Sequence, residues 1–278
     1  MDIKTCIRLV PPKMKEVYPI TIAQVTDMHL FASEHQQLLG MPTTESFNAV
    51  IERLKKMRDE LDLLLLTGDL SGDGTSQSYG NLQSLLSPLF LPSYWLPGNH
   101  DDSIVMNEVL NSGLVSRRKC FERGGWNFIL LDSSIAAKVH GYLRDETLNW
   151  LDSQLGMTGD KPTVIALHHP PFKINSHWLD NSSLQNSEDF FEVLDKYPQV
   201  KLVLCGHIHQ EFCTQRNGVD YLGTPSTCVQ FQPKSKKFAL EQKSPGFRLI
   251  KLYPNGTWES WVERVPYFHA VELAANGY

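Results

Sequence analysis

The chain has 278 residues, 41% of them hydrophobic, which is length and core material for one large α/β domain. Its 26 basic against 31 acidic side chains leave a net charge of −5, which excludes a general binder of nucleic acid or anionic membrane. No apolar stretch reaches the roughly 18 residues of a membrane span. The five cysteines, odd in number and without a CxxC pair, exclude a disulfide scaffold and read as small buried apolar residues.

The N-terminal MDIKTCIRLVPPKMKE is broken by two prolines and several charges and lacks a signal-peptide core, so the expectation is a soluble cytoplasmic protein. Ile20 to Val25 reads as a short buried strand. From Thr43-Thr44, the apolar positions Phe47, Val50, Ile51, Leu54 and Met57 recur at spacings of three and four and predict a helix. The apolar run Leu61 to Leu66 ends at Thr67-Gly68-Asp69. A weaker helix around Gln77 to Leu86 leads to a strand ending at Leu96. Trp126 to Leu131 is a further strand, followed by a helix near Arg144 to Leu155. Thr163 to Leu167, a helix near Ser187 to Lys196 and Val200 to Leu204 complete the alternation. Strands separated by helices imply βαβ units and a largely parallel sheet.

After Cys205 the pattern becomes strand, turn, strand. Asn217-Gly218 between Glu211–Arg216 and Val219–Leu222 is a strong hairpin signal, and Pro254-Asn255-Gly256 joins Phe247–Tyr253 to Thr257–Val265 in the same way. These hairpins, over 210–278, are expected to extend a second sheet packed on the first. Without a repeat or linker, residues 1–278 read as one domain. Phe31–Pro42, Lys173–Gln185 and Gln230–Pro245 read as surface loops, and the basic run Lys234 to Lys237 as solvated. Trp178 and Phe231 lie in such loops and read as packing residues.

The coordinating side chains gather where strands stop. The strands end in Asp27-Met28-His29, Gly68-Asp69, Gly98-Asn99-His100-Asp101, His168-His169-Pro170-Pro171 and Gly206-His207-Ile208-His209, which hold six of the ten histidines. Ligands in open α/β sheets bind outside the carboxyl ends of the strands, so the five segments should converge on one edge. Gly68-Asp69 alone is a common turn and Asp27-x-His29 alone a weak signal, whereas Gly98-Asn99-His100-Asp101 and Gly206-His207-x-His209 are more specific. The five in this order are a strong signal. Asp27-x-His29 and His207-x-His209 would each place two side chains on one face of an extended backbone. Adjacent His168 and His169 would point apart, leaving one of them to coordinate. Two carboxylates, one Asn and four histidines suffice for two metal sites sharing a carboxylate, and nitrogen with oxygen donors suits Zn, Fe or Mn. Gly68, Gly98 and Gly206 allow sharp turns or close backbone approach.

DxH, GD, GNHD, HH and GHxH in this order resemble the motifs of the calcineurin-like metallophosphoesterases, over Asp27 to His209. Within them the chain resembles the bacterial class III 3′,5′-cyclic-nucleotide phosphodiesterases, through Gly68–Gly74, LPGNHDD, HHPP, GHIHQ, Gly223–Phe231 and Pro245–Ile250. The resemblance implies a four-layer α/β/β/α sandwich with two packed mixed sheets and a dinuclear centre of divalent or mixed-valence transition ions. It implies one metal on Asp27, His29, Asp69 and His209 and the other on Asp69, Asn99, His168 and His207. Asn99 and His100 would meet the substrate phosphate, with His100 uncoordinated.

The chemistry expected of such a centre is in-line attack of a metal-bridging hydroxide on a small phosphodiester such as 3′,5′-cyclic AMP. His100 would protonate the departing O3′. Asp101 and His169 read as turn residues or supports of the ligands, Asp73 and His140 carry no expected role, and His35, His177 and His269 read as surface residues. Other small phosphoesters or pyrophosphates are alternative substrates, and an inactive scaffold is a further alternative. No nucleic acid or membrane partner is expected; the C-terminal segment could pack against a second copy.

Overall fold

The computed structural model describes residues 18–277, so the N-terminal segment read above, with Cys6, lies outside the described residues. In chain order come β1 (Ile20–Val25), the short strands β2 (Gln37–Leu38) and β3 (Met41–Pro42), α1 (Thr43–Lys56), β4 (Leu63–Thr67), α2 (Ser76–Leu86) and β5 (Ser93–Leu96). Next are α3 (Ser103–Val109), β6 (Val115–Ser116), β7 (Cys120–Arg123), β8 (Trp126–Leu130), α4 (Asp145–Met157), β9 (Thr163–Leu167), α5 (His177–Asp180) and α6 (Ser187–Leu194). The chain ends with β10 (Val200–Cys205), β11 (Phe212–Arg216), β12 (Val219–Gly223), β13 (Gln230–Phe231), β14 (Leu240–Glu241), β15 (Gly246–Leu252) and β16 (Trp258–Arg264).

Local chemistry fixes the helix ends. The buried stripe Phe47, Val50, Ile51 and Leu54 drives α1, with Glu45 in its first turn and Arg53, Lys55 and Lys56 in its last, complementing the helix dipole. The Thr75 side chain caps α2 by accepting from Ser78 N. Asp102 caps α3 by accepting from Ile104 N and Val105 N.

One sheet has the order β16-β15-β1-β4-β5-β6 and the other β11-β12-β10-β9-β8-β7. In each, a parallel centre carries antiparallel strands at an edge: β15 and β16 beside β1, and β7 and β11 at the two ends of the other sheet. Period-two alternation sorts the core into three layers. Ala23, Val25, Leu64 and Leu66 face α1 to α3, whereas Ile22, Leu63 and Leu65 face the other sheet and meet Phe128, Val164, Leu202 and Leu204. Ile165, Leu167 and Val203 turn outward against α4 and α6. The result is the expected α/β/β/α sandwich.

Two expectations are corrected. The β11–β12 hairpin extends the second sheet, but β15–β16 joins the first, pairing antiparallel with β1 from Ile20↔Leu252 to Gln24↔Arg248. Alternation predicts a hairpin without specifying which edge accepts it. Here β15 is buried on both faces, and Arg248, 4% exposed, reaches across to donate to Gly223 O and Thr224 Oγ1. The four described cysteines are free, but Cys213 is exposed on β11 and Cys120 half-buried, so only Cys205 and Cys228 are core residues.

Leu204 lies fully buried between the sheets. Leu204→Ala should lower unfolding stability by about 2–5 kcal/mol, read as a shifted denaturant midpoint at unchanged slope. A loss below about 1 kcal/mol would mean that this layer is not tightly packed.

Candidate metal centre

The five predicted segments do meet, at the C-terminal ends of β1, β4, β5, β9 and β10. Their backbones are not the extended ones expected. Asp27 (φ 53), His29 (φ 45), Asp69 (φ 50), His207 (φ 68) and His209 (φ 47) all occupy the left-handed region. In Asp27-Met28-His29, and again in His207-Ile208-His209, the pairing of side chains therefore comes from two left-handed residues flanking a buried one, not from strand alternation.

Hydrogen bonds hold these turns. Asp27 N donates to Gly68 O and His29 N to Asp69 O, both at 3.0 Å, lacing the first segment to the second. His207 N donates to both Asp27 carboxylate oxygens at 3.1 Å, lacing the fifth to the first. His100 N donates to Asp69 Oδ1 at 2.9 Å. Asp101 accepts from Gly98 N, Leu70 N, Ser71 N and Tyr79 Oη, so it binds the third segment to the second. Close approach requires glycine: a Cβ on Gly98 would lie 2.1 Å from Asp69 Oδ1, and one on Gly206 2.2 Å from Thr26 Oγ1.

Around the fully buried Asp69 stand the other predicted ligands. His168 Nε2 lies 3.2 Å from Asp69 Oδ2 and 3.2 Å from Asn99 Oδ1, and His29 Nε2 lies 3.9 Å from Asp69 Oδ2. On the other side, His209 Nε2 is 3.3 Å from Asp27 Oδ1 and 3.4 Å from His29 Nε2. His207 packs edge-on against His168 with ring centroids 5.1 Å apart. His168 Nδ1 donates to Thr67 O at 2.9 Å and His209 Nδ1 to Val229 O at 2.8 Å, which turns each Nε2 inward as metal-binding histidines require. His100 stands edge-to-face with His29, centroids 4.9 Å apart, and is only half-buried.

The donor set fits transition ions. His207 is 2% exposed, yet neither of its ring nitrogens has a hydrogen-bond partner. Asp69 Oδ2 makes no hydrogen bond despite the nearby His168. Buried polar atoms left in this state are costly, and a cation satisfies them. Asp27, His29 and His209 form one compact donor group, and Asp27, Asp69 and His168 another. Nitrogen and oxygen donors without thiolate suit Zn, Fe or Mn.

His169 is the adjacent histidine that sequence left undecided. Its Nε2 donates to Val139 O at 3.1 Å and its Nδ1 meets Ser133 Oγ at 2.9 Å, so both ring nitrogens are occupied by the 133–139 segment. One ring nitrogen of His169 also lies within 4.8 Å of one from each of His168 and His207. Its satisfied nitrogens argue for support of those two rings, against which it packs at 4.9 Å.

Two cavities open at the centre. One of about 960 Å³ is lined by Asn99, His100 and His207 together with Trp178, Lys236 and Phe238 among others. One of about 500 Å³ shares Asn99 and His100 and includes Asp101, Asp132 and Arg144. His140 and His177, read as bland in sequence, line the larger cavity, as do Lys236 and Lys237 of the run expected to be merely solvated. Their loop composition carried no signal for this. Trp178 forms part of the wall, while Phe231 packs beneath it, stacked on the His209 ring at 4.0 Å. Buried Gln24, near the end of β1, carries no sequence signal either: it joins Thr67, Cys205 O and Thr224.

The buried charges of the centre act on one another. Burial pushes the Asp69 carboxyl up, but His168 and His100 outweigh it and hold it well below the usual carboxylate range. Burial likewise disfavours charge on His168, and Asp69 and Asp27 outweigh that, raising it to about 9. Burial dominates elsewhere, pushing His29 down to about 3 and His169 and His207 well below the usual imidazole range. Burial and Asp69 push Asp101 up to about 6.

Two predictions follow from this electrostatics and from the tight turn. Below pH 6.5 the unfolded chain protonates three histidines that the folded, metal-free protein keeps neutral, so stability falls toward pH 3, with one proton on Asp101 opposing it. Above 6.5, His168 holds its proton only when folded, so stability also falls as pH rises to about 9. Thermal midpoints in chelator should peak near neutrality, and a flat profile would contradict this charge distribution. Gly98→Ala, which drives a Cβ into Asp69, should weaken Mn²⁺ binding by about 10–100-fold in calorimetric titration. Wild-type affinity would show that Asp69 is not held by this turn.

The profile of the calcineurin-like phosphoesterase family matches residues 20–211. The chain is 61% identical over 259 residues to a 3′,5′-cyclic-nucleotide phosphodiesterase of Nostoc sp., covering 93% of this chain and 97% of that one. It is 40% identical over 247 residues to the 3′,5′-cyclic adenosine monophosphate phosphodiesterase CpdA of Escherichia coli, covering 88% and 90%. A dimetal phosphatase from Danio rerio superposes with a TM-score of 0.63 at 15% identity, over 88% of this chain and 99% of that one, and shares the fold. The chain belongs to the calcineurin-like phosphoesterase family.

Proposed function

We propose that this protein is a metal-dependent phosphodiesterase that hydrolyses 3′,5′-cyclic AMP, or a closely related cyclic nucleotide, to the 5′-monophosphate. The observation that carries the reading is the half-buried His100 at the junction of a buried aspartate–histidine cluster and two open cavities. The names of the Nostoc and Escherichia coli relatives support the substrate class.

Asp27, His29, Asp69 and His209 would hold one ion, and Asp69, Asn99, His168 and His207 the other, with Asp69 shared; Mn, Fe or Zn suits both. Bound metals would lower the pKa of the attacking water and neutralise phosphate charge. The chain's own contribution is orientation and proton transfer. Carbonyl acceptors at Thr67 and Val229 lock His168 and His209. The His100 backbone is fixed on Asp69 Oδ1, so its imidazole reaches the cavity from a rigid base. From there the protonated ring donates to O3′ as the P–O3′ bond breaks, because a sugar alkoxide leaves poorly without a proton. Asn99, on the same turn, lines both cavities, from where it would meet the phosphate oxygens.

Purified protein with Mn²⁺ should convert 3′,5′-cyclic AMP to AMP and lose that activity in chelator. Hydrolysis of bis-p-nitrophenyl phosphate alone would discard the cyclic-nucleotide substrate. His100→Ala should lower kcat by about 10²–10⁴ while two metals stay bound; loss of metal with activity would make His100 a ligand. Asp69→Ala should reduce metal content below two per chain and abolish turnover. Near-normal turnover with both metals would rule out a shared carboxylate.

A further inference from the structure

The two cavities at the centre carry opposite charge. The smaller is bordered by Asp73, Asp101, Asp102 and Asp132 against a single Arg144. The larger has no Asp or Glu among its described lining residues, but it has Lys138, Lys236, Lys237, His140 and His177. In a chain of net charge −5 this is a marked local reversal. The lysines that form ion pairs among the described residues are Lys55, Lys161, Lys196 and Lys243. Lys138, Lys236 and Lys237 are not among them; all three are exposed, and all three line the larger cavity.

The loops that carry them are fastened. Val139 O, next to Lys138, accepts from His169 in the centre itself. Ser235 O accepts from His177 N, and Ser235 Oγ donates to Lys237 O, tying the other loop to α5 and to itself. The backbones that carry these lysines are thus held beside one space that Asn99 and His100 also line.

A 3′,5′-cyclic nucleotide brings one negative charge, and that charge is shared by the non-bridging oxygens of the reacting phosphate. It leaves three ammonium groups without a counter-charge. The cavity, at about 960 Å³, is also at the top of the roughly 300–1,000 Å³ range of small-molecule sites. We infer that the larger cavity takes a second phosphate of the substrate, and that the enzyme also cleaves linear 3′–5′ dinucleotides carrying a 5′-terminal phosphate. The inference rests on the phosphodiesterase reading above. The bond broken is the same: water adds its oxygen to phosphorus, the P–O3′ bond breaks, and O3′ takes the proton. A 5′-phosphorylated diadenylate (pApA) plus water gives two molecules of 5′-AMP, and no other reactant is needed.

The test compares kcat/KM for pApA, for ApA without the terminal phosphate, and for 3′,5′-cyclic AMP. It uses the Mn²⁺-loaded wild type and a Lys138→Gln/Lys236→Gln/Lys237→Gln variant. The wild type should prefer pApA over ApA by about tenfold or more, the compounded effect of partly exposed ion pairs worth up to about fivefold each. In the variant that preference should shrink to about twofold or less, with pApA losing at least about fivefold more than cyclic AMP does. Equal rates for pApA and ApA in the wild type would overturn the inference. So would equal losses for pApA and cyclic AMP in the variant, which would make the lysines general attractors of anions. Failure to cleave cyclic AMP, with bis-p-nitrophenyl phosphate still turned over, would sink the underlying cyclic-nucleotide reading instead, whatever the dinucleotide ratio.

Discussion

Five of the seven side chains proposed as metal ligands sit on left-handed backbone, at Asp27, His29, Asp69, His207 and His209. For residues with a Cβ this conformation costs about 1–2 kcal/mol each, so the surrounding structure must over-determine it. It does so through backbone lacing between neighbouring strand ends and through side chains that brace the turns. Ser226 Oγ donates to Asp27 O, Thr26 Oγ1 to the Asp27 carboxylate, and Asp101 gathers donors from two segments. Everything chemical about the site depends on these turns. They aim Asp and His side chains at one point that regular strands, with alternating faces, would have sent apart.

The turns hold only because the strands behind them are fixed. The inter-sheet layer of Ile22, Leu65, Leu96, Phe128, Val164 and Leu204 fixes the distance between the two sheets. Gln24 and Arg248 then set the register between them. Gln24 bonds Thr67 in its own sheet and both Cys205 O and Thr224 in the other, while Arg248 spans from β15 to Gly223 O. A shift of one residue in any of the five strands would exchange inward for outward faces and empty the centre of a ligand. The burial that makes the sheets rigid also buries the side chains of the centre, Asp27, His29, Asp69, His168, His207 and His209. Its carboxylates therefore dominate the local field, and His207 and Asp69 Oδ2 are left needing a cation.

Much of this was legible in the chain. Apolar runs ending in Asp, Asn or His marked five strand ends, and the sheet order brings all five to one edge. Helical spacing located α1 because its stripe is continuous, but α3 and the short β6 and β7 lack enough residues to show a period. Other features were hidden for physical reasons. Hairpin signals are local, so Pro254-Asn255-Gly256 predicted β15–β16 but not its partner β1. The left-handed turns are set by contacts forty or more residues apart, such as Asp27 N to Gly68 O, so spacing suggested extended backbone where there is none. His169 is indistinguishable from His168 by type, and only Ser133 and Val139 reveal its different role. Lys236 and Lys237 looked like solvated loop residues because nothing in their neighbours announces the cavity beside them.

The central claim is that Asp69 lies between two metal positions. Crystals of the Mn²⁺-loaded protein, measured at the manganese absorption edge, test it most directly. The account predicts two anomalous peaks about 3.5–4 Å apart. One should lie among Asp27, His29 and His209, the other among Asn99, His168 and His207, with Asp69 touching both. A single peak would contradict it, as would a second peak coordinated by His169 or His100 in place of Asp69.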